Sequence, residues 1–176
     1  ISAVDYSASP TGKAIRVTKT YDADLTNYVK LTLPATKQPK GMAIWMDASE
    51  LNGFGMQLFK NWVAKQHINE NGDYVYFYGE DGSLSRIEGW RALKVPAKFK
   101  GWMIIPMSVF GSGKEIVTGD YFRFGIDSEE DGNHNFAGTF YFGEALTFEC
   151  EVETFIKQIN KRVYAFVDHD GSFISS

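Results

Sequence analysis

Tyr74-Val75-Tyr76-Phe77-Tyr78 is the segment whose residue types and spacing point most directly to chemistry. Successive side chains of a strand point to opposite faces. Val75 and Phe77 therefore serve one face and the three tyrosines the other. A tyrosine presents a flat apolar ring and a hydrogen-bonding tip, and a sugar presents apolar C–H faces and a hydroxyl rim. Stacking with polar neighbours is the physical answer to binding such a ligand. Trp45, Gln57, Arg123 and Asp127 join that face if their strands are neighbours, with Tyr76, Tyr78 and Trp45 as the platform. Trp90 beside Arg91 and Trp62 beside Asn61 add aromatic rings in loops. The same tyrosines could instead pack under loops or against cross-strand partners, and the residues weigh the two readings evenly.

The other motifs of reactive residues point to ordinary structure. Gly111-Ser112-Gly113-Lys114 lacks the spacing between its glycines that a phosphate loop requires. Asp127, Glu129, Asp131 and Gly132 resemble the start of a calcium loop, but the twelfth position is Gly138, which has no carboxylate. His67, His134 and His169 sit among turn residues, and neither a zincin His-Glu pair nor a nucleophile elbow occurs. Cys150 is the one cysteine, so no intrachain disulfide forms. It follows an apolar run and reads as a small half-buried residue near a strand end. A sandwich hydrolase or lyase would need two carboxylates flanking one sugar ring, and spacing does not choose such a pair.

Composition narrows the partner classes. The chain has 176 residues and a formal net charge of −4, so it carries no global field for phosphate backbones and nucleic acid is not an expected partner. Its 14 Phe, 9 Tyr and 4 Trp exclude intrinsic disorder. No run of apolar residues is long enough to cross a bilayer as a helix. There is no basic-plus-apolar leader, and a start at Ile1 reads as a fragment or a processed product.

The elements that must position these residues show a period of two almost throughout. Strands are expected over Ala14–Thr20, Tyr28–Leu33, Gly41–Asp47, Phe54–Phe59, Tyr74–Tyr78, Arg91–Val95, Gly101–Ile105, Tyr121–Asp127, Thr139–Phe142 and Ala145–Phe148. Glu80-Asp81-Gly82-Ser83 reads as a hairpin turn. Helical spacing is weak: Lys60–Gln66 is helical or a loop. Glu151–Arg162, with Val152, Phe155, Ile156 and Ile159, reads as a short helix or an irregular crossing, and the same run could form another strand pair. About ten short strands with glycine-rich turns predict an all-β chain, an antiparallel β-sandwich of the jelly-roll kind. The chain reads as one module over 1–176, with a core at about 13–149 and a C-terminal extension or additional strands at 150–176. Phe77, Phe122, Phe124, Phe140, Phe142 and Phe148 are expected in the sandwich core.

Four segments resemble the galactose-binding-like β-sandwich carbohydrate-binding modules of secreted bacterial polysaccharide-degrading, cellulosome-type proteins. Lys13–Thr18 looks like an early strand of these modules, and Gly41–Met46 looks like their Gly-apolar-x-apolar-Trp-apolar strand. Leu93–Phe110 is the most specific stretch, with Pro96, Phe99, Gly101-Trp102 and Ile105-Pro106-Met107-Ser108-Val109-Phe110. Thr139–Phe148 looks like the closing strands. The resemblance implies an extracellular, non-catalytic module. It would bind a polysaccharide or oligosaccharide, by default plant-wall β-glucan or hemicellulose, for a catalytic module in the same parent chain. It implies no required cofactor and leaves room for a structural calcium. Where the family carries Asp-Asp after the aromatic strand, this chain has Gly143-Glu144. The alternative is a protein-interaction or spacer module of a cell-surface protein, whose outer tyrosines would lie under their own loops.

Overall fold

The computed structural model describes residues 1–20, 28–32, 38–61, 63–64, 74–87, 93–113, 120–125 and 136–165. Among these, two antiparallel sheets pack face to face as an all-β sandwich, and one helix lies on the outside. The larger sheet holds β1 (Ser2–Asp5), β2 (Lys13–Lys19), β4 (Gly41–Asp47), β7 (Val75–Gly79), β8 (Leu84–Ile87), β10 (Lys100–Pro106) and β12 (Gly138–Phe148). Its order is β1-β2-β12-β4-β10-β7-β8. The smaller sheet runs β3 (Tyr28–Thr32), β11 (Tyr121–Gly125), β5 (Phe54–Lys60) and β6 (Val63–Ala64), and β9 (Leu93–Val95) also pairs with β5.

Period-two alternation fills the space between the sheets. Met42, Ile44, Met46, Val75, Phe77 and Met103 point inward from the larger sheet, and Phe54, Met56, Leu58, Phe122 and Phe124 meet them from the smaller one. Lys19 follows Ile15 and Val17 on the inward face, as its position in the alternation predicts. Its buried ammonium donates to the Phe136 carbonyl at 3.2 Å and lies 5.0 Å from that residue's ring centroid.

The C-terminal extension is an α-helix, α1 (Val152–Ala165). Its apolar positions recur at helical spacing, and Phe155 and Ile159 are buried on the outer face of the larger sheet against Ala43, Trp45, Trp102, Ile104 and Phe148. That packing makes a second apolar core, and each fully buried side chain in it contributes about 2 kcal/mol. Strand β4 is consequently buried along its whole length, because its even-numbered residues face the other sheet and Ala43 and Trp45 face the helix.

One bulge directs the closing strand to both cores. Phe142 pairs with Met46, but Ala145 rather than residue 144 pairs with Ile44. The extra residue reverses the parity of the strand. Phe140 and Phe142 point between the sheets, whereas Leu146 and Phe148 point outward. Phe148 thus leaves the sandwich core predicted for it and stacks on Phe155, with ring centroids 4.2 Å apart and planes 15° apart. Its ring occupies the space where a side chain on Gly41 would begin, 2.2 Å from a Cβ built there.

The loop after β1 closes the other end of the outer face. Tyr6 stacks on Tyr141 at 4.0 Å, and its hydroxyl donates to Asp47 Oδ2 at 2.7 Å. Burial opposes the charge on Asp47. Hydrogen bonds from the Ser49 hydroxyl and amide, then from Tyr6, together with the charge of Lys100, outweigh burial and hold its pKa below the ordinary carboxylate value. A depressed folded-state pKa stabilises the fold above the unfolded value of about 4, and that contribution is lost as pH falls through the folded value. Denaturation curves measured from pH 6 down to pH 2 should therefore show an acid loss of stability that is smaller in Asp47→Asn. An identical pH dependence in the variant would remove Asp47 from this role.

Candidate functional site

The larger sheet gathers aromatic side chains into one row on its outer face. Trp45 pairs with Trp102, and Trp102 pairs with Tyr78. Ile104 pairs with Tyr76, which pairs in turn with Arg86 on β8. The expectation that Trp45 shares a face with the tyrosines therefore holds, but its role as an open platform does not. Trp45 is 1% exposed, packed under α1, and its indole Nε1 donates to Glu80 Oε1 at 3.3 Å. Tyr78 is half-buried beside the helix, and its hydroxyl donates to Asn160 Oδ1 at 2.5 Å. Both are anchors of the second core.

Tyr76 packs at the edge of the second core, and Tyr74 lies next to it. They are half-buried, with ring centroids 6.4 Å apart and planes inclined by 72°. The exposed Arg86 guanidinium sits 4.9 Å from the Tyr74 ring centroid, within cation–π range. A cleft of about 740 Å³ opens beside Tyr76. The first residues of α1 and the Pro106–Ser108 junction line it. Phe148 contributes to its apolar surface, and Lys40, Glu151 and Glu153 stand at its rim. Lys40 forms an ion pair with Glu151. That volume falls within the range of ordinary small-ligand sites.

Gln57 and Arg123 are placed elsewhere. They lie on β5 and β11 of the smaller sheet, which does not pair with β7, so they cannot supply polar groups to the tyrosines. Phe122 and Phe124 face the core, and alternation sends Arg123 to the opposite, outer face of that sheet. There it is buried, and its Nε donates to the Asn61 carbonyl at 3.0 Å. Asn61 also donates from Nδ2 to Asp120, which forms an ion pair with Lys60 at 3.2 Å. Arg123 therefore belongs to a polar network that closes the end of the smaller sheet. Trp62, Trp90 and Asp127 lie outside the described residues.

Arg86, Ser108 and Glu153 were not anticipated. Arg86 was within reach of the sequence. A turn at Glu80–Ser83 sets the register that pairs Tyr78 with Leu84 and hence Tyr76 with Arg86. Glu153 joins the cleft only through the packing of α1, and Ser108 through the pairing of β10 with β7; no local pattern encodes either.

Among the described residues, no group of three or more His, Cys, Asp or Glu comes together to hold a metal ion. The place where the sequence resemblance would put paired aspartates is Gly143-Glu144, at the bulge of β12. There, a Cβ on Gly143 would lie 2.7 Å from both Ser9 Oγ and Trp45 Cε3. The residues present do not fit a calcium site at that place. No helix among the described residues is long and apolar enough to cross a membrane. No protein-family model, curated protein or solved structure matches the chain.

Proposed function

We propose that this chain is a non-catalytic carbohydrate-binding module of the galactose-binding-like, jelly-roll type. It would be secreted, and it would hold an attached catalytic module against a plant cell-wall polysaccharide such as β-glucan or hemicellulose. The observation that supports this reading is the half-buried Tyr76, which lines a cleft with polar rims and has the Tyr74 ring 6.4 Å away. Stacking there supplies affinity, and the hydroxyls of the sugar find partners along the rim. Tethering then raises the local concentration of the enzyme at its polymer. The carboxylates at the cleft suit hydrogen bonding better than acid catalysis. Glu151 and Glu153 are exposed and Glu151 is paired with Lys40, whereas a general acid needs a desolvated carboxyl.

Screening the chain against soluble and insoluble polysaccharides tests the reading. Binding is expected, and Tyr76→Ala should weaken it by about tenfold or more while unfolding stays cooperative. Wild-type affinity in that variant would remove Tyr76 from the site.

A second reading draws on the covered part of the same face. Trp45, Trp102 and Tyr78 lie under α1 rather than under loops of their own, and a face covered in this way supports a protein-interaction or spacer module at a cell surface. Absence of binding across the whole screen would favour it.

A further inference from the structure

We propose that Asn52 is a site of spontaneous covalent modification, where conversion to isoaspartate loosens the entry to β5. This inference is independent of the carbohydrate-binding reading. Three observations carry it.

The first is the dipeptide. Asn52 is exposed, and Gly53 follows it. In the reaction the Gly53 main-chain nitrogen gives its proton to a base in the solvent and attacks Cγ of Asn52. The new N–Cγ bond closes a five-membered succinimide. The bond from Cγ to Nδ2 breaks, and Nδ2 takes up a proton and leaves as ammonia. Water then opens the ring. Opening at Cγ gives aspartate, and opening at the main-chain carbonyl gives isoaspartate, whose main chain runs through Cβ and Cγ. Neither step oxidises or reduces anything.

The second is the turn. Gly53 has φ +92, a conformation that L side chains rarely adopt, and a Cβ there would lie 3.0 Å from the Val95 carbonyl oxygen. The fold therefore requires glycine at this position, and a glycine nitrogen carries no neighbouring side chain to hinder the attack. Both residues precede β5, whose first paired residue is Phe54, opposite Val95. The reacting atoms thus lie outside the strand. The Asp81-Gly82 turn differs. The Ser83 hydroxyl, and then the Ser83 amide at 2.9 Å, donate to Asp81 and hold its carboxyl below the ordinary carboxylate pKa. An ionised carboxylate is a poor target for the same attack.

The third is what flanks the pair. The Leu51 amide donates to the Ala48 carbonyl at 2.9 Å, and the Leu51 carbonyl accepts from the Lys98 amide at 2.8 Å. On the other side Phe54 is buried, with its ring centroid 4.7 Å from that of Phe136 and 4.8 Å from that of Phe140. The chain is held at both ends of a two-residue link whose reach is set by covalent geometry. Aspartate preserves that reach. Isoaspartate inserts one more main-chain carbon, and the added length must displace Phe54 or the pairing of β5 with β9.

The experiment incubates the whole chain in mildly alkaline buffer beside a synthetic peptide of residues 48–56, until the peptide has converted. Proteolytic digestion and mass spectrometry then locate the modified residues and separate aspartate from isoaspartate. Both products are expected at Asn52 in the folded chain. The isoaspartyl fraction should show a thermal midpoint lower by about 4 °C or more. Freshly prepared Asn52→Asp, with a main chain of normal length, should stay within about 2 °C of wild type. Asn52→Gln must close a larger ring, and it should keep both its side chain and its midpoint through the incubation. An intact Asn52 in the folded chain, or an isoaspartyl fraction with the wild-type midpoint, would overturn the inference. A loss of midpoint that persists in Asn52→Gln would place the damage elsewhere in the chain, for instance at Asn71-Gly72, and would overturn it as well.

Discussion

Trp45→Ala is expected to lower the free energy of unfolding by about 4 kcal/mol and to leave glycan affinity within about threefold of wild type, provided that the domain is held below its unfolding transition. Trp45 is 1% exposed and packs in the second core with Trp102, Phe155 and Ile159. Truncation removes one of the two largest side chains of that core and leaves a cavity that the surrounding strands cannot close, because β4 is paired on both sides along its length. It also removes the indole donor from Glu80, which keeps its ion pair with Lys100 at 3.4 Å. A urea titration measures the loss. A change below about 1 kcal/mol would mean that α1 does not cover Trp45 in solution. The contrast with Tyr76 is the point of the experiment: the two aromatics share a face, yet one acts on stability and the other on binding.

Gly101→Ala is the second large effect, an expected loss of at least 3 kcal/mol. Gly101 sits in β10 at φ +153, a conformation that L side chains rarely adopt. A Cβ there would stand 2.1 Å from the Tyr78 carbonyl oxygen and 2.8 Å from the Gly79 Cα. Both neighbours are backbone, so no rotamer change relieves the clash and β7 would have to separate from β10. Its partner Gly79 is less confined, since a built Cβ would meet Asp81 Oδ1 and Ser83 Oγ at 2.5 and 2.6 Å, the ends of exposed side chains that can move aside. The two facing glycines let the β7–β8 hairpin close against the sheet. The variant should give a much lower thermal midpoint and, through β7, a displaced Tyr76. An unchanged midpoint would contradict the register described for β7 and β10.

Much of the fold was legible in the alternation of individual strands. Val75 and Phe77 facing inward with Tyr76 and Tyr78 outward follows from a period of two alone, and the structure has that arrangement. The helix at Val152–Ala165 was legible in its apolar spacing, since Phe155 and Ile159 are its buried residues. Strands β1, β6 and β8 were missed; where Lys60–Gln66 reads as helical or a loop, Lys60 ends β5 and Val63–Ala64 form β6. β8 carries three exposed residues, Leu84, Ser85 and Arg86, and so has no apolar alternation to read.

The site was less legible, for two physical reasons. Sheet membership is a long-range property, so nothing local in Gln57 or Arg123 reveals that β5 and β11 lie in the opposite sheet from β7. The cover over Trp45 also depends on α1, far along the chain. A signal for that cover does exist. The outward positions of β4 and β10 are Ala43, Trp45, Trp102 and Ile104, with no polar residue among them, and such a face must be buried by something. The apolar stripe of α1 is the complementary surface. Reading those two patterns together places the helix on the sheet and leaves Tyr74 and Tyr76 as the aromatics at its margin.

The most direct test of the account is a map of amide chemical shifts during titration with the glycan that the screen identifies. The account predicts that the largest shifts fall at Tyr74, Tyr76, Met107, Ser108 and Glu151 to Glu153, around one cleft. Shifts confined to Lys30, Gln57 and Arg123, on the outer face of the smaller sheet, would contradict it.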